Sequence, residues 1–356
     1  MKALPGFRNN VTLKRRDKLS SNIYDVAKLS KKSISTVSRV INESGYVSEN
    51  TKKEVLDAIK KLNYKPNQIA ISLTTKKTST LGLLIPDITN PYFGELIRHI
   101  ESRANDYGFQ IFLCNYEGNR EKVWKYIQNM VAKNVDAIIF SVPKENSDIL
   151  DRLKEAAPGI PAIQIGCRNT DEKNIYNVAI DYEHGGYIAT KYLLELGHRD
   201  ICFLAGLDNS YATKKRLDGY KHALGDYNIE FIKDRVIYGE YTLEHGYYSF
   251  KKLIQDKNIP TAVLAGNDKI AIGIYKALSE SNLKVGQDVS IIGSDDIDIA
   301  NYIYPGLTTL KLPIDRIGSY VADLAYKIIK HEDKTEINSL EYKPELIIRE
   351  STMEIE

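Results

Sequence analysis

From residue 81 onward the sequence repeats one pattern, a short apolar run followed by a segment of helix length. The runs are Leu81–Ile85, Phe109–Cys114, Ala137–Ser141, Ala162–Gly166, Val178–Ile180, Ile201–Ala205, Ala262–Ala265 and Ser290–Gly293. Among the segments between them are Phe93–Tyr107, Lys122–Ala132, Tyr187–Leu196 and Ile270–Ser281, each amphipathic. Runs without polar alternation belong to strands buried on both faces, and helix-length crossovers make such strands parallel. The pattern therefore predicts two doubly wound α/β lobes. In sheets of this kind ligands sit beyond the carboxyl ends of the strands. The polar positions that fall there are Pro86-Asp87, Cys167-Arg168, Asn267-Asp268 and Ser294-Asp295.

The N-terminal part is of another kind. Residues 1–78 hold 17 Lys and Arg against 6 Asp and Glu, while the rest holds 32 against 41, an asymmetry hidden in the net charge of +2. A basic head on an acidic body points to a polyanion, because neutralising phosphates releases counterions. Residues 1–21 lack periodicity and read as a flexible basic extension. Beyond them three helical patterns follow: Tyr24–Leu29 with Val26 and Leu29 inward, Ser33–Asn42 with Val37, Val40 and Ile41 inward, and Thr51–Leu62 with Val55, Ala58, Ile59 and Leu62 inward. Only Ser30-Lys31-Lys32 separates the first two, and Ser33 suits an N-cap, so they form a helix-turn-helix. The outer face of the second helix then carries Ile34, Ser35, Ser38, Arg39 and Asn42. Small polar groups with one arginine can enter a major groove, where Arg39 pairs with guanine and Ile34 and Ser35 meet base edges. The segment Pro66–Leu73 reads as a short hinge helix that folds only against a partner, with Leu73 as an apolar wedge for a minor groove.

Cys114, Cys167 and Cys202 are odd in number and 53 and 35 residues apart, which suits neither a disulfide framework nor a zinc site. They read as buried thiols. The chain has no apolar run of about 18 residues and no signal-peptide core in its first twenty residues, so a cytoplasmic, nucleoid-associated protein without membrane contact is expected. Phosphate-loop, dinucleotide, nucleophile-elbow and His-Glu-x-x-His motifs are all missing and the six histidines are scattered. An enzyme is therefore not expected, nor is a cofactor or a metal, and an exported solute receptor has no use for the basic head.

The chain resembles the LacI/GalR family of bacterial transcription regulators from about Asn22 to its end. The motifs are Tyr24-Asp25-Val26-Ala27, Ser35-Thr36-Val37-Ser38-Arg39-Val40-Ile41-Asn42, Leu62-Asn63-Tyr64-Lys65-Pro66-Asn67, Pro86-Asp87-Ile88-Thr89-Asn90-Pro91-Tyr92-Phe93, Gly197-His198-Arg199, Asn267-Asp268, Val289 to Asp296 and Pro305-Gly306-Leu307-Thr308-Thr309. The resemblance implies an N-terminal all-α helix-turn-helix domain and an α/β two-lobed domain like the periplasmic binding proteins. It implies a homodimer on double-stranded operator DNA, with Tyr24, Ser33, Ile34, Ser35, Thr36, Arg39 and Asn42 at groove and phosphate, and Asn67, Ala70 and Leu73 in the hinge. A small sugar-like effector would lie between the lobes against Tyr92, Phe93, Arg216, Tyr241, Asn267 and Asp295, with Asp87 and Arg168 nearby. Aromatic faces stack on sugar C–H groups, while Arg, Asn and Asp meet hydroxyls. Three positions depart from the family pattern: Lys31-Lys32 replace the usual glycine-containing turn, Ile71 replaces a basic residue, and Leu312 replaces a glutamine.

The expected domains are the extension 1–21, the DNA-binding domain 22–64, the hinge 65–78, and the effector and dimerisation domain 79–356. Within the last, lobe 1 takes about 79–180 and 311–342, and lobe 2 about 181–310 and 343–356. The leading expectation is a repressor of a carbohydrate-use operon released by its effector. The alternative is a catabolite-control regulator whose corepressor is a phosphorylated carrier protein, docking on a basic face around Arg98, His99 and Arg103.

Overall fold

The computed structural model describes residues 21–42, 44–65, 77–141, 147–167, 174–330 and 340–355. Two units separate at Thr78 and Ser79. Asn67, Ala70, Ile71, Leu73 and Arg168, and residues 1–20 of the basic extension, lie outside the described residues.

In the first unit, α1 (Ile23–Ser30), α2 (Ile34–Ile41) and α3 (Glu49–Leu62) close over Val26, Ala27, Val37, Val40, Val55 and Ala58. Each start is capped. Asn22 and Asp25 form a reciprocal capping box on α1, and the Ser33 and Ser48 hydroxyls accept from the N–H groups of Thr36 and Thr51. The tight turn after α1 is made with Lys31 at φ 55°, so a lysine holds the left-handed conformation that glycine adopts without steric cost. Leu29 differs from expectation: it is 46% exposed. The buried face of α1 runs through Val26, Ala27 and Ser30, and at 3.6 residues per turn Leu29 falls about 100° round from its centre.

The second unit holds two six-stranded sheets, each covered by helices on both faces. The first has strand order β2-β1-β3-β4-β5-β11, with β1 (Thr80–Ile85), β2 (Gln110–Asn115), β3 (Ala137–Phe140), β4 (Ala162–Ile165), β5 (Ile175–Ile180) and β11 (Leu340–Tyr342), all parallel. Its helices are α4 (Pro91–Asp106) and α12 (Ile314–Lys330) over one core, and α5 (Arg120–Ala132) and α6 (Ser147–Ala156) over the other. The second sheet runs β7-β6-β8-β9-β10-β12, with β6 (Ile201–Leu204), β7 (Val236–Ile237), β8 (Ala262–Ala265), β9 (Ser290–Ser294), β10 (Thr308–Lys311) and β12 (Glu345–Ile347). It packs α7 (Tyr182–Glu195) and α8 (Tyr211–Asp226) on one face, and α9 (Leu243–Gln255) and α10 (Asp268–Ser279) on the other. A short helix, α11 (Ile299–Tyr302), precedes β10.

The chain passes between the sheets after β5, β10 and β11. β12 departs from the parallel expectation and pairs with β10 antiparallel. Only Lys343 and Pro344 join it to β11, the edge strand of the first sheet, so the chain runs directly from one sheet edge to the other. All three cysteines are free and buried. Burial pushes the Cys114 thiol up to about 11 and Cys202 to about 12, so both stay protonated at neutral pH. Among the described residues no helix is long and apolar enough to cross a membrane.

Candidate functional site

Strand order reverses between β1 and β3 in one sheet and between β6 and β8 in the other, which are the switch points where α/β sheets open a crevice. The loops leaving these strands face one another across a cavity of about 240 Å³. Tyr92, Phe93, Asp87, Arg216, Tyr241, Asn267 and Asp295 all line it, so the structure brings together every sequence-derived effector candidate that it describes. Cys167 and Leu312 line it as well.

Local structure explains each placement. Asn90 caps α4 by accepting from the Tyr92 N–H, and Pro91 starts the helix, so Tyr92 and Phe93 lie in its first turn with their rings edge to face at 5.0 Å. Asn267 caps α10, its Oδ1 accepting from the Ile270 N–H at 2.9 Å. Arg216 projects from α8, donates from Nη2 to Ser294 Oγ at 2.9 Å, and lies over the Tyr182 ring at 4.9 Å. Tyr241 packs flat on Gly206, where a Cβ would come within 2.0 Å of its ring. Its hydroxyl is shared with Thr213 at 2.7 Å and Ser210 at 3.3 Å.

Asp295 sits at φ 123° and Asp296 at φ 52°, two consecutive residues in a region that L side chains avoid. Strain of this kind costs about 1–3 kcal/mol per residue and gathers at ligand sites. The turn is held from below. Arg349 Nη2 donates to Asp296 Oδ1 at 2.6 Å, and buried Asp268 accepts from Thr309 Oγ1 at 2.5 Å and from the Ile297 N–H at 2.9 Å. Burial and the neighbouring Asp268 carboxylate push the Asp295 carboxyl well above the usual range, while Arg216 and an Asn90 hydrogen bond pull the other way. A carboxyl held protonated both donates and accepts, which suits a hydroxyl.

Two donors at the cavity wall have no partner among the described residues: Arg216 Nε and Asn267 Nδ2. Buried donors left unpaired cost about 1–3 kcal/mol each, so the cavity calls for a ligand with acceptors opposite them. Asp87 is otherwise engaged. Its Oδ1 accepts from Thr89 Oγ1 at 2.6 Å and the Thr89 N–H at 2.9 Å, and its Oδ2 accepts from Lys269 Nζ at 3.2 Å. Burial works against this carboxylate, but the Thr89 and Lys269 hydrogen bonds outweigh it and hold its pKa below the usual value.

Sequence reasoning missed Asn90, Tyr116, Tyr182, Ser210 and Tyr211, which also line the cavity. Tyr116 and Tyr182 had a legible signal, since each stands one or two residues beyond the carboxyl end of a strand. The first residues of α8 had none, because no apolar run points to that helix start.

In the first unit the outer face of α2 is free of the core. Ile34 is 42% exposed, Ser33, Ser35 and Arg39 are exposed, Thr36 and Asn42 are half-buried, and Tyr24 on α1 is 67% exposed. Ser33 Oγ lies 2.8 Å from both Ser35 Oγ and Thr36 Oγ1, a hydroxyl cluster at the helix start, where backbone N–H groups favour phosphate. Tyr46, which the sequence reading passed over, is 92% exposed in the loop before α3.

Two family models match the chain. Residues 22–67 match the bacterial regulatory proteins of the lacI family, and residues 78–350 match the periplasmic binding proteins and sugar binding domain of the LacI family. Among curated relatives, the HTH-type transcriptional regulator DegA of Bacillus subtilis is 35% identical over 94% of this chain and 98% of its own length. Catabolite control protein A of Priestia megaterium is 34% identical over 88% of this chain and 94% of its own length. Among solved structures, the lac repressor dimer bound to operator and the anti-inducer ONPF superposes with a TM-score of 0.82 at 27% identity, covering 94% of this chain and 99% of that one. With a capped helix-turn-helix on one side of residue 78 and a two-lobed cleft on the other, the chain belongs to the LacI family of DNA-binding transcriptional regulators.

Proposed function

We propose that this regulator is a homodimeric repressor of a carbohydrate-use operon, and that a neutral, sugar-like effector in the cleft weakens its hold on operator DNA. The observation that carries the effector reading is the pair of unpartnered donors, Arg216 Nε and Asn267 Nδ2, in a cavity walled by Tyr92, Phe93, Tyr182 and Tyr241. Hydroxyl oxygens of a sugar meet the donors and Asp295, and its C–H faces meet the rings. Among the described residues the cations beside the cavity are already engaged, Arg216 through Nη2 by Ser294 Oγ and by the Tyr182 face, and Lys269 by Asp87, which favours a neutral ligand. Arg39, Ile34 and Ser35 would read base edges, with Tyr24, Ser33, Thr36 and Asn42 at the backbone. Asn67, Ala70 and Leu73 would serve the central minor groove.

A phosphorylated carrier protein as corepressor is supported by the likeness to catabolite control protein A, but the face it would need is already neutralised. Arg98 pairs with Glu95, and Arg103 pairs with Asp323 and Asp106. The sugar reading is therefore preferred. Thermal-shift measurements against a panel of neutral sugars and their phosphates test it. A neutral sugar is expected to raise the melting temperature of the wild type and to leave Asp295→Ala unmoved, since a ligand of the native state stabilises by mass action. A response confined to phosphorylated ligands, or an unaltered response of Asp295→Ala, overturns the reading.

A further inference from the structure

Lys269 stands in the first turn of α10 in lobe 2, and its ammonium reaches the loop after β1 in lobe 1. Nζ lies 3.2 Å from Asp87 Oδ2 and 3.5 Å from Thr89 Oγ1, and the lysine side chain is only 16% exposed. Asp87 and Thr89 are themselves tied together by the Thr89 N–H and hydroxyl, so the loop after β1 presents a rigid acceptor. One residue further along the same loop, Asn90 donates to Asp295 of lobe 2. The four-residue loop Asp87–Asn90 thus meets the opposite lobe at two points beside the cavity, and at Lys269 it does so through an ion pair that no cavity ligand is needed to complete.

We propose that Lys269 and Asp87 form an interlobe latch that sets how far the cleft is open before any effector arrives. Its regulatory meaning rests on the cleft being the effector site; its existence does not. Lys269 touches no effector and acts through lobe position, so it is a positioning residue. A partly buried pair whose acceptor is fixed in advance loses little side-chain entropy on forming, which separates it from the exposed pairs on the same surface. A latch of this strength tilts a two-state equilibrium modestly, enough to tune affinity and release without locking the lobes.

Single-molecule FRET on the full chain without sugar or DNA tests the latch. Dyes are placed at Lys125→Cys in lobe 1 and Lys252→Cys in lobe 2, both exposed, while the three native cysteines are buried. Labelled chain is mixed with excess unlabelled chain so that each dimer carries one labelled copy. Lys269→Met is expected to raise the open-to-closed ratio about three- to tenfold, Asp87→Asn to do the same, and the double variant to do no more than either. Lys269→Arg should restore the wild-type ratio, and high salt should mimic Lys269→Met in the wild type alone. An unchanged ratio in both single variants, or effects that add in the double variant, overturns the proposal. Because no ligand is present, that failure leaves the effector reading untouched, and a null thermal-shift screen leaves the latch untouched. Should Lys269→Met fail to fold, Asp87→Asn and the salt series decide.

Discussion

Gly206→Ala should damage the cleft from beneath. Gly206 follows β6, and the Tyr241 ring rests on its α-carbon; an added Cβ would stand 2.0, 2.3 and 2.5 Å from three ring carbons. The ring has to retreat by roughly 1.4 Å to reach ordinary contact. Overpacking in a filled site costs about 1–3 kcal/mol. The retreat also strips the Tyr241 hydroxyl of Thr213 and Ser210, at about 1 kcal/mol for each net hydrogen bond. The loss is about 3–5 kcal/mol, or a fall in melting temperature of about 6–10 °C. Urea unfolding of Gly206→Ala, Tyr241→Ala and the double variant isolates the contact: with the ring gone the added methyl has room, so the double variant should be no less stable than Tyr241→Ala alone. A Gly206→Ala protein as stable as the wild type, or costs that simply add, refutes the argument that the ring lies on that glycine.

Arg39→Ala should cost on the order of 1–3 kcal/mol of operator affinity and relax the base preference at one position per half-site, measured by binding to a set of singly substituted duplexes; equal loss on every sequence would show that Arg39 touches only phosphate. His198 is buried between Thr261, Ser290 and the Met353 carbonyl, and His245 is half-buried against the Ala205 carbonyl; burial lowers both below the ordinary 6.5. The unfolded chain therefore binds protons that the fold refuses, so their stabilisation is complete above 6.5 and is lost as the pH falls below it. Urea midpoints should drop between pH 7.5 and about pH 5.5, less steeply in His198→Gln, and equal slopes in the two proteins would remove His198 from the account.

The α/β architecture was legible because eight apolar strands announce themselves by composition alone, and each lies within a few residues of its observed bounds. The elements that were not read lack that signal. β7 has two residues, β11 and β12 three each, and they form because neighbouring strands offer them an edge rather than because of their own preference, while β10 went unread because Thr308-Thr309-Leu310-Lys311 holds a single large apolar residue. α8 hid because its buried side carries Thr213, Arg216 and Gly219 among the apolar residues, so its periodicity is weak. Arg216 is the instructive case: the resemblance pointed to it, but only the fold shows that a buried guanidinium is held by Ser294 and by the face of Tyr182. Asp87, by contrast, stands where a ligand group was expected and spends its charge on Lys269. Long-range pairing of that kind, 182 residues apart in the chain, leaves no trace in local pattern.

The central claim is that one small solute in the cleft governs the grip of the N-terminal unit on DNA. Fluorescence anisotropy on a duplex obtained by in vitro selection measures it directly, with salt varied and with the neutral sugar that raises the melting temperature. Binding should weaken steeply with salt, and the sugar should weaken it further, at least tenfold, in the wild type but not in Asp295→Ala. Salt-insensitive binding, or operator affinity that the stabilising sugar leaves unchanged, would contradict the claim.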